Sequence, residues 1–240
     1  MKALILAAGK GKRLNGVLEG KNKCLTMVGN KPIIERILDN ITKIHEIREV
    51  VIVVGFMAED IIGYFGESYK NLHIIYVTQK EQKGVVDAME CARNEIAGDD
   101  FLLHLGDELM NSPKHAEMLE VFYNQEFFTL VGSIAVDNTE LIKKTYTFTY
   151  DTDGNITKLV EKPKIPFNNQ MGTGNIIFRG DIYNYIDKTP VNPVRGEKEL
   201  VDLIQMAIDD SKRTSYFEIT DYFINLNTIE EFNEIKGLDI

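Results

Sequence analysis

No run of about 18 or more apolar residues occurs in the 240-residue sequence, and that is the length a helix needs to cross a bilayer. A membrane span is therefore excluded, and the apolar stretch Ala3 to Ala8 is too short for the core of a signal peptide. Cysteine is scarce. Cys24 and Cys91 stand in unrelated contexts without metal-ligand spacing, which predicts a reducing compartment and no zinc site. The expectation is a soluble, cytoplasmic protein. Net positive charge is also missing: 27 Lys and Arg stand against 37 Asp and Glu, for a formal charge of -10. Long nucleic acid is a poor partner for such a chain, because affinity for the phosphate backbone rests on clustered cations. There is no Pro/Gly/Ser linker, internal repeat or low-complexity tract, so one domain over residues 1–240 is expected.

What is present is less uniform. From Met1 to Ile34 the chain carries Lys2, Lys10, Lys12, Arg13, Lys21, Lys23 and Lys31 against one acid, Glu19. An acidic protein that keeps one basic segment suggests a site for a small polyanion, although a solvated surface would account for the charge pattern alone. Short apolar runs recur at Lys2 to Ala7, Glu49 to Gly55, Leu72 to Val77 and Phe101 to Leu105. They predict strands buried on both faces. Helical patterns over Pro32 to Lys43, Ala58 to Phe65 and Gly84 to Ile96 lie between them. The alternation predicts an α/β fold with a mixed, mostly parallel Rossmann-like sheet flanked by helices.

From Phe127 the pattern changes. Phe127 to Val136, Tyr146 to Tyr150 and Ile156 to Val160 read as strands, the last two joined by the turn Asp151-Thr152-Asp153-Gly154-Asn155. Two amphipathic helices are expected at Asp181 to Asp187 and Glu197 to Asp210, then a strand pair between Thr214 and Leu226 and a helix from Ile229 to Ile235.

The first strand runs into Ala8-Gly9-Lys10-Gly11-Lys12-Arg13-Leu14. Glycines let backbone N–H groups approach a phosphate, and a loop at the C-terminal edge of a parallel strand is where open α/β sheets bind ligands. It is neither of the two familiar phosphate loops. A dinucleotide fingerprint needs glycine where Leu14 stands, and a Walker loop needs Ser or Thr where Asn22 follows Gly20-Lys21.

Gly9-x-Gly11-x-Arg13-Leu14, followed by Lys23 in Asn22-Lys23-Cys24-Leu25, resembles the signature of the sugar-phosphate nucleotidyltransferases, the nucleoside-diphosphate-sugar pyrophosphorylases. Further blocks resemble that family in its order: Gln79 with Gly84-Val85-Val86-Asp87-Ala88, Leu105-Gly106-Asp107, Glu161-Lys162-Pro163, Thr173-Gly174, Arg195-Gly196-Glu197-Lys198-Glu199-Leu200, and Phe223 to Thr228. The resemblance implies the nucleotide-diphospho-sugar transferase fold, with a nucleotide-binding half over about 1–125 and an acceptor-binding half over about 126–240. It also implies a Mg²⁺-dependent transfer of a nucleoside monophosphate from UTP, dTTP or CTP to a sugar 1-phosphate, with release of pyrophosphate.

By that resemblance Ala8, Gly9 and Gly11 cradle the nucleotide, Arg13 holds the β/γ-phosphates and Lys23 the α-phosphate. Asp107 and Asn225 hold Mg²⁺. Gln79 and Gly84 meet a pyrimidine base; a Gln amide offers a donor and an acceptor and does not by itself separate uracil or thymine from cytosine. Glu161 receives acceptor hydroxyls, Lys162 the acceptor phosphate, and Thr173, Gly174 and Arg195 complete the acceptor site.

Two departures bear on this assignment. Asn225, and also Asn227, stand where the family carries Asp, so the second metal contact lacks charge. Thr147 stands where the family carries Gly, and a side chain there is expected to narrow the pocket wall beside a hexose ring. These departures keep alive a cytidylyltransferase acting on a non-sugar phosphate or phosphonate such as phosphocholine, and a catalytically silent nucleotide-binding subunit. A glycosyltransferase ranks last, since Gly106-Asp107-Glu108-Leu109 lacks its Asp-x-Asp. A family C-terminal extension is not evident after the last helical pattern, and a monomer or homodimer is expected.

Overall fold

A computed structural model describes residues 1–238 except Asn15 and Glu19. Glu19, the lone acid of the basic opening segment, and the last two positions of the expected domain lie outside the described residues. The first half contains β1 (Lys2–Leu6), β2 (Met27–Val28), β3 (Lys31–Pro32), α1 (Ile33–Ile41), β4 (Glu49–Val54) and α2 (Ala58–Phe65). It continues with β5 (Ser68–Tyr69), β6 (Leu72–Thr78), α3 (Val85–Cys91), α4 (Arg93–Ile96), β7 (Phe101–Leu105), β8 (Glu108–Met110) and α5 (His115–Asn124). The second half contains β9 (Thr129–Ala135), β10 (Tyr146–Tyr150), β11 (Ile156–Glu161), β12 (Gln170–Phe178), α6 (Leu200–Asp209), β13 (Thr214–Glu218), β14 (Phe223–Asn225) and α7 (Ile229–Lys236).

Among the described residues, ten strands form one sheet along the path β11-β10-β12-β7-β1-β4-β6-β5, with β9 pairing both β12 and β13. β1 lies parallel to β4 and β7, and β4 to β6. β12 runs antiparallel to β7, β9 and β10. Side chains alternate across a strand, and the apolar runs use both faces. Ala3, Ile5, Val50, Ile52 and Val54 pack with α1, α2, α5 and α7. Leu4, Val51 and Val53 pack with α3, α4 and α6. This is the expected mixed, mostly parallel sheet flanked by helices. No helix among the described residues is long and apolar enough to cross a membrane.

The four parallel strands, the β10–β11 hairpin and the last helix match the sequence reading. In the hairpin turn the Asp151 carboxylate accepts from the backbone N–H of Asp153 and Asn155, at 3.0 and 2.8 Å. Four features differ. The helix expected over Gly84 to Ile96 breaks at Ala92, whose φ and ψ of -89° and 0° separate α3 from α4. The segment expected as a helix at Asp181 to Asp187 is a 3-10 helix over Gly180–Tyr185. The expected strand pair between Thr214 and Leu226 does not form: β13 joins β9 in parallel and β14 joins β8 antiparallel. Finally, β12 and α5 have no counterpart in the sequence reading. β12 is buried at every residue, but its Gly172-Thr173-Gly174 core weakens the local strand signal.

Candidate active site

The C-terminal ends of β1, β6 and β7 deliver the glycine-rich loop, Gln79 and Asp107 to one edge of the sheet. The crossing is tight there. Gly106 N–H donates to the Leu6 carbonyl at 2.9 Å, and a Cβ on Gly106 would lie 2.9 Å from both that oxygen and the Cys24 Sγ. After Gly11, which sits at a φ of +58°, a short turn over Lys12–Leu14 buries Leu14 and leaves Arg13 outside.

Lys23 is positioned by its neighbour. The fully buried Asn22 side chain donates to the carbonyls of Ala7 and Phe56, at 3.0 and 2.8 Å, and accepts from Cys24 N–H at 2.9 Å. It thereby caps the turn that carries Lys23 and ties it to the end of β1. The Lys23 ammonium pairs with the Asp107 carboxylate. Burial pulls that ammonium down, yet the charge and hydrogen bond of Asp107 outweigh it, so Lys23 is held above its ordinary value. Burial pushes the Cys24 thiol up to about 12, which makes it an unreactive packing residue.

β14 lies against β8 with Asn225 opposite Glu108, and this brings the two asparagines near Asp107. Asn227 donates its amide to the Asn225 carboxamide oxygen, while its own oxygen accepts from Arg13 at 3.1 Å. Arg13 is thus tied to the segment that follows β14.

The opposite side, where the sequence places the acceptor, is built around a bulge in β12. Its register with β9 shifts between Gly172 and Ile176, freeing Gly174 N–H from the ladder. Glu108, 2% exposed, accepts that N–H on both oxygens and also accepts from the Asn175 amide at 2.9 Å. Burial pushes Glu108 up to about 8, with the Asp107 charge adding to it and the Gly174 N–H opposing. Asn175 in turn bonds His115 Nε2 at 2.8 Å. Tyr146 lies over Gly172 and donates its hydroxyl to the Thr173 carbonyl at 2.7 Å. At the end of β11, Glu161 pairs with Lys162 at 3.0 Å and with Arg195 at 3.4 Å. Arg195 also pairs with Glu199 at 2.9 Å.

One cleft of about 1070 Å³ gathers these groups. Ala8, Gly9, Arg13, Lys23, Gln79, Gly84, Asp107, Glu161, Lys162, Thr173, Gly174, Arg195 and Asn225 all line it. Gly11 lines an adjoining cavity of about 570 Å³ that shares Arg13, Lys23 and Glu197 with the first. Thr147 corrects the reading of the pocket wall. Its side chain is fully buried, and its hydroxyl bonds the Gln170 carbonyl and the Asn168 side chain, each at 2.7 Å. It points behind the strand, and Tyr146 faces the cleft in its stead. Sequence reasoning gave no role to Asp87, Glu108 or Tyr146. Glu108 follows Asp107, which the sequence singles out as a metal candidate, but its partners on β12 are 66 and 67 residues away.

A nucleotidyl transferase family model matches residues 2–236. A UTP–glucose-1-phosphate uridylyltransferase, AglF of Haloferax volcanii, is 30% identical over 239 residues, covering 98% of this chain and 95% of its own. The bifunctional GlmU of Methanococcus vannielii is 34% identical over 220 residues, covering 88% of this chain and 49% of its own. The chain spans about half the length of such bifunctional relatives. A UDP-glucose pyrophosphorylase solved with UDP-glucose superposes with a TM-score of 0.84 at 22% identity, over 98% of this chain and 96% of that one. UTP-bound UGPase from Acinetobacter baumannii gives 0.83 at 18% identity, over 98% and 91%. These likenesses establish a shared fold, and the family match over nearly the whole length establishes kinship: the chain belongs to the nucleotidyl transferase family.

Proposed function

We propose that this protein transfers a nucleoside monophosphate from a pyrimidine nucleoside triphosphate to a sugar 1-phosphate, forming a nucleoside-diphosphate sugar and releasing pyrophosphate. The observation that carries the reading is the single cleft shared by Lys23, Arg13, Lys162, Glu161 and Asp107. The kinship with AglF, whose name specifies UTP and glucose 1-phosphate, supports the same class of reaction.

In this reading an acceptor phosphate oxygen attacks the α-phosphorus in line as pyrophosphate departs. Two anions must meet, so positioning and charge neutralisation carry most of the catalysis. Arg13, beside the N–H groups of the Gly9–Gly11 loop, grips the leaving β/γ-phosphates through its planar fork. Lys23 places a compact charge on the α-phosphate. Lys162 receives the acceptor phosphate, and Glu161 accepts hydrogen bonds from acceptor hydroxyls. Gln79 and Gly84 hold the base.

The donor set suits Mg²⁺, a hard ion that uses one or two carboxylates and takes its remaining oxygens from phosphate and water. Asp107 and the Asn225 carboxamide oxygen would hold it, and when bound it would supply positive charge to the phosphates. An Asp107 carboxylate engaged in that role would leave its ion-pair partner, the Lys23 ammonium, available to substrate.

The test is incubation of the protein and Mg²⁺ with UTP, dTTP or CTP and a panel of sugar 1-phosphates, phosphocholine and a phosphonate. Pyrophosphate release together with the mass of a nucleoside-diphosphate sugar is the expected outcome. Pyrophosphate released only with a non-sugar acceptor would replace this reading by the cytidylyltransferase one.

A further inference from the structure

Gln79 follows β6 and is 4% exposed, with its backbone N–H fixed on the Val54 carbonyl at 2.8 Å. Its side-chain amide nitrogen donates to the Asp87 carboxylate at 2.7 Å and to the Gly84 carbonyl at 3.2 Å. Both protons of the NH₂ group are therefore committed. Turning the amide over would set its carbonyl oxygen against a carboxylate and a carbonyl, two acceptors with no proton to offer. The orientation is thus imposed by the chemistry of the partners. Gln79 and Gly84 line the cleft together with Val85 and Ala88 of α3, while Asp87 stands behind Gln79. What Gln79 has left for a ligand is its carbonyl oxygen.

An acceptor fixed in that place reads a nucleobase in one sense. Uracil and thymine bring an N3–H to the centre of their pairing edge. Cytosine has a lone pair at N3, which a carbonyl oxygen repels, and its one donor on that edge is the N4 amine, displaced to the side. We propose that Asp87 is the specificity-determining residue for the base: by holding the Gln79 amide nitrogen, it makes the cleft accept uracil or thymine nucleotides and discriminate against cytosine. The proposal rests on the reading of Gln79 as a base contact. It also closes the ambiguity of a free Gln amide, which serves either edge equally.

The deciding experiment is direct calorimetric titration of UTP and CTP into the full chain with Mg²⁺, which needs no acceptor. The variants are Asp87→Asn, Asp87→Ser and Gln79→Ala. Wild type is expected to bind UTP at least about tenfold more tightly than CTP, the scale of one hydrogen-bond reversal at a base edge. Asp87→Asn presents either an NH₂ or an oxygen to Gln79, so only the Gly84 carbonyl still opposes turning of the amide, and the Kd ratio should fall. Asp87→Ser, whose shorter hydroxyl can donate or accept at this partly buried position, should do the same if the Asn variant does not fold. A ratio unchanged in both Asp87 variants but lost in Gln79→Ala overturns the role of Asp87 and leaves the base contact standing. A ratio unchanged in Gln79→Ala removes the base contact and the proposal with it, as does a wild type that binds CTP as well as UTP.

Discussion

Both carboxylate oxygens of Glu108 accept from the backbone N–H of Gly174, at 2.9 and 3.0 Å, joining the strand that follows Asp107 to β12. Glu108 also receives the Asn175 amide. Replacing it with leucine of similar bulk removes the acceptors of two buried donors, each of which costs about 1–3 kcal/mol when left unsatisfied. Glu108→Leu should therefore unfold at lower denaturant and show a raised KM for the acceptor, whereas Glu108→Gln keeps one oxygen for Gly174 and should be milder. Equal midpoints for wild type and Glu108→Leu in urea would count against this role.

Gly172 and Tyr146 make a second prediction. A Cβ on Gly172 would lie 2.1 Å from the Tyr146 ring, so Gly172→Ala must displace the ring and break its hydroxyl bond to Thr173. Overpacking of this kind costs about 1–3 kcal/mol. Thermal unfolding should show the loss, and steady-state kinetics should show a weaker acceptor with nucleotide affinity retained. An unchanged KM for the acceptor would mean that Tyr146 does not shape that half of the cleft.

His104 and His115 are both buried, with ring centroids 5.8 Å apart. Burial pulls His104 from 6.5 down to about 3, and His115 from 6.5 down to about 4. The unfolded chain therefore takes up protons that the folded chain refuses. Stability from this pair is fully present above pH 6.5 and is lost as the pH falls through the window down to about 4 and then about 3. Within it, each pH unit costs up to about 1.4 kcal/mol per histidine. Urea unfolding at about pH 7 and about pH 5 should show the decline. His115→Gln, which retains a donor for Asn175 and cannot protonate, should make it shallower, with His104 still contributing. A decline of equal steepness in that variant would assign the acid sensitivity elsewhere.

The Asn225 oxygen already accepts from Asn227, so Asn225→Asp keeps that acceptor and adds a negative charge beside Asp107. The half-saturating Mg²⁺ concentration should fall several-fold in a titration of activity, since carboxylates bind the ion more strongly than carboxamides. No change, or a rise, would place the metal away from β14.

The parallel strands were legible because each is a continuous apolar run buried on both faces, as Val50 to Val54 illustrates. β12 was not, since Gly172 and Gly174 carry no side chain to announce a strand, and what stabilises it is pairing with β9, some 40 residues earlier. The partners of β13 and β14 are more distant still. In the site, the loop, the lysines and Asp107 could be named from blocks of adjacent residues. The bonds that aim them could not. Asn22 to Phe56 and Glu108 to Asn175 link positions that only the folded sheet brings together. Thr147 was misjudged because alternation along β10 turns its side chain away from the cleft, a direction no substitution pattern reveals.

The account stands most directly on kcat/KM for nucleoside-diphosphate sugar formation by Lys23→Ala and Lys162→Ala, measured with saturating Mg²⁺ beside wild type. If both side chains act on phosphates in one cleft, each variant should lose on the order of 100-fold or more, and in Lys162→Ala, whose side chain is exposed, the unfolding midpoint should move little. Undiminished turnover in either variant would contradict it.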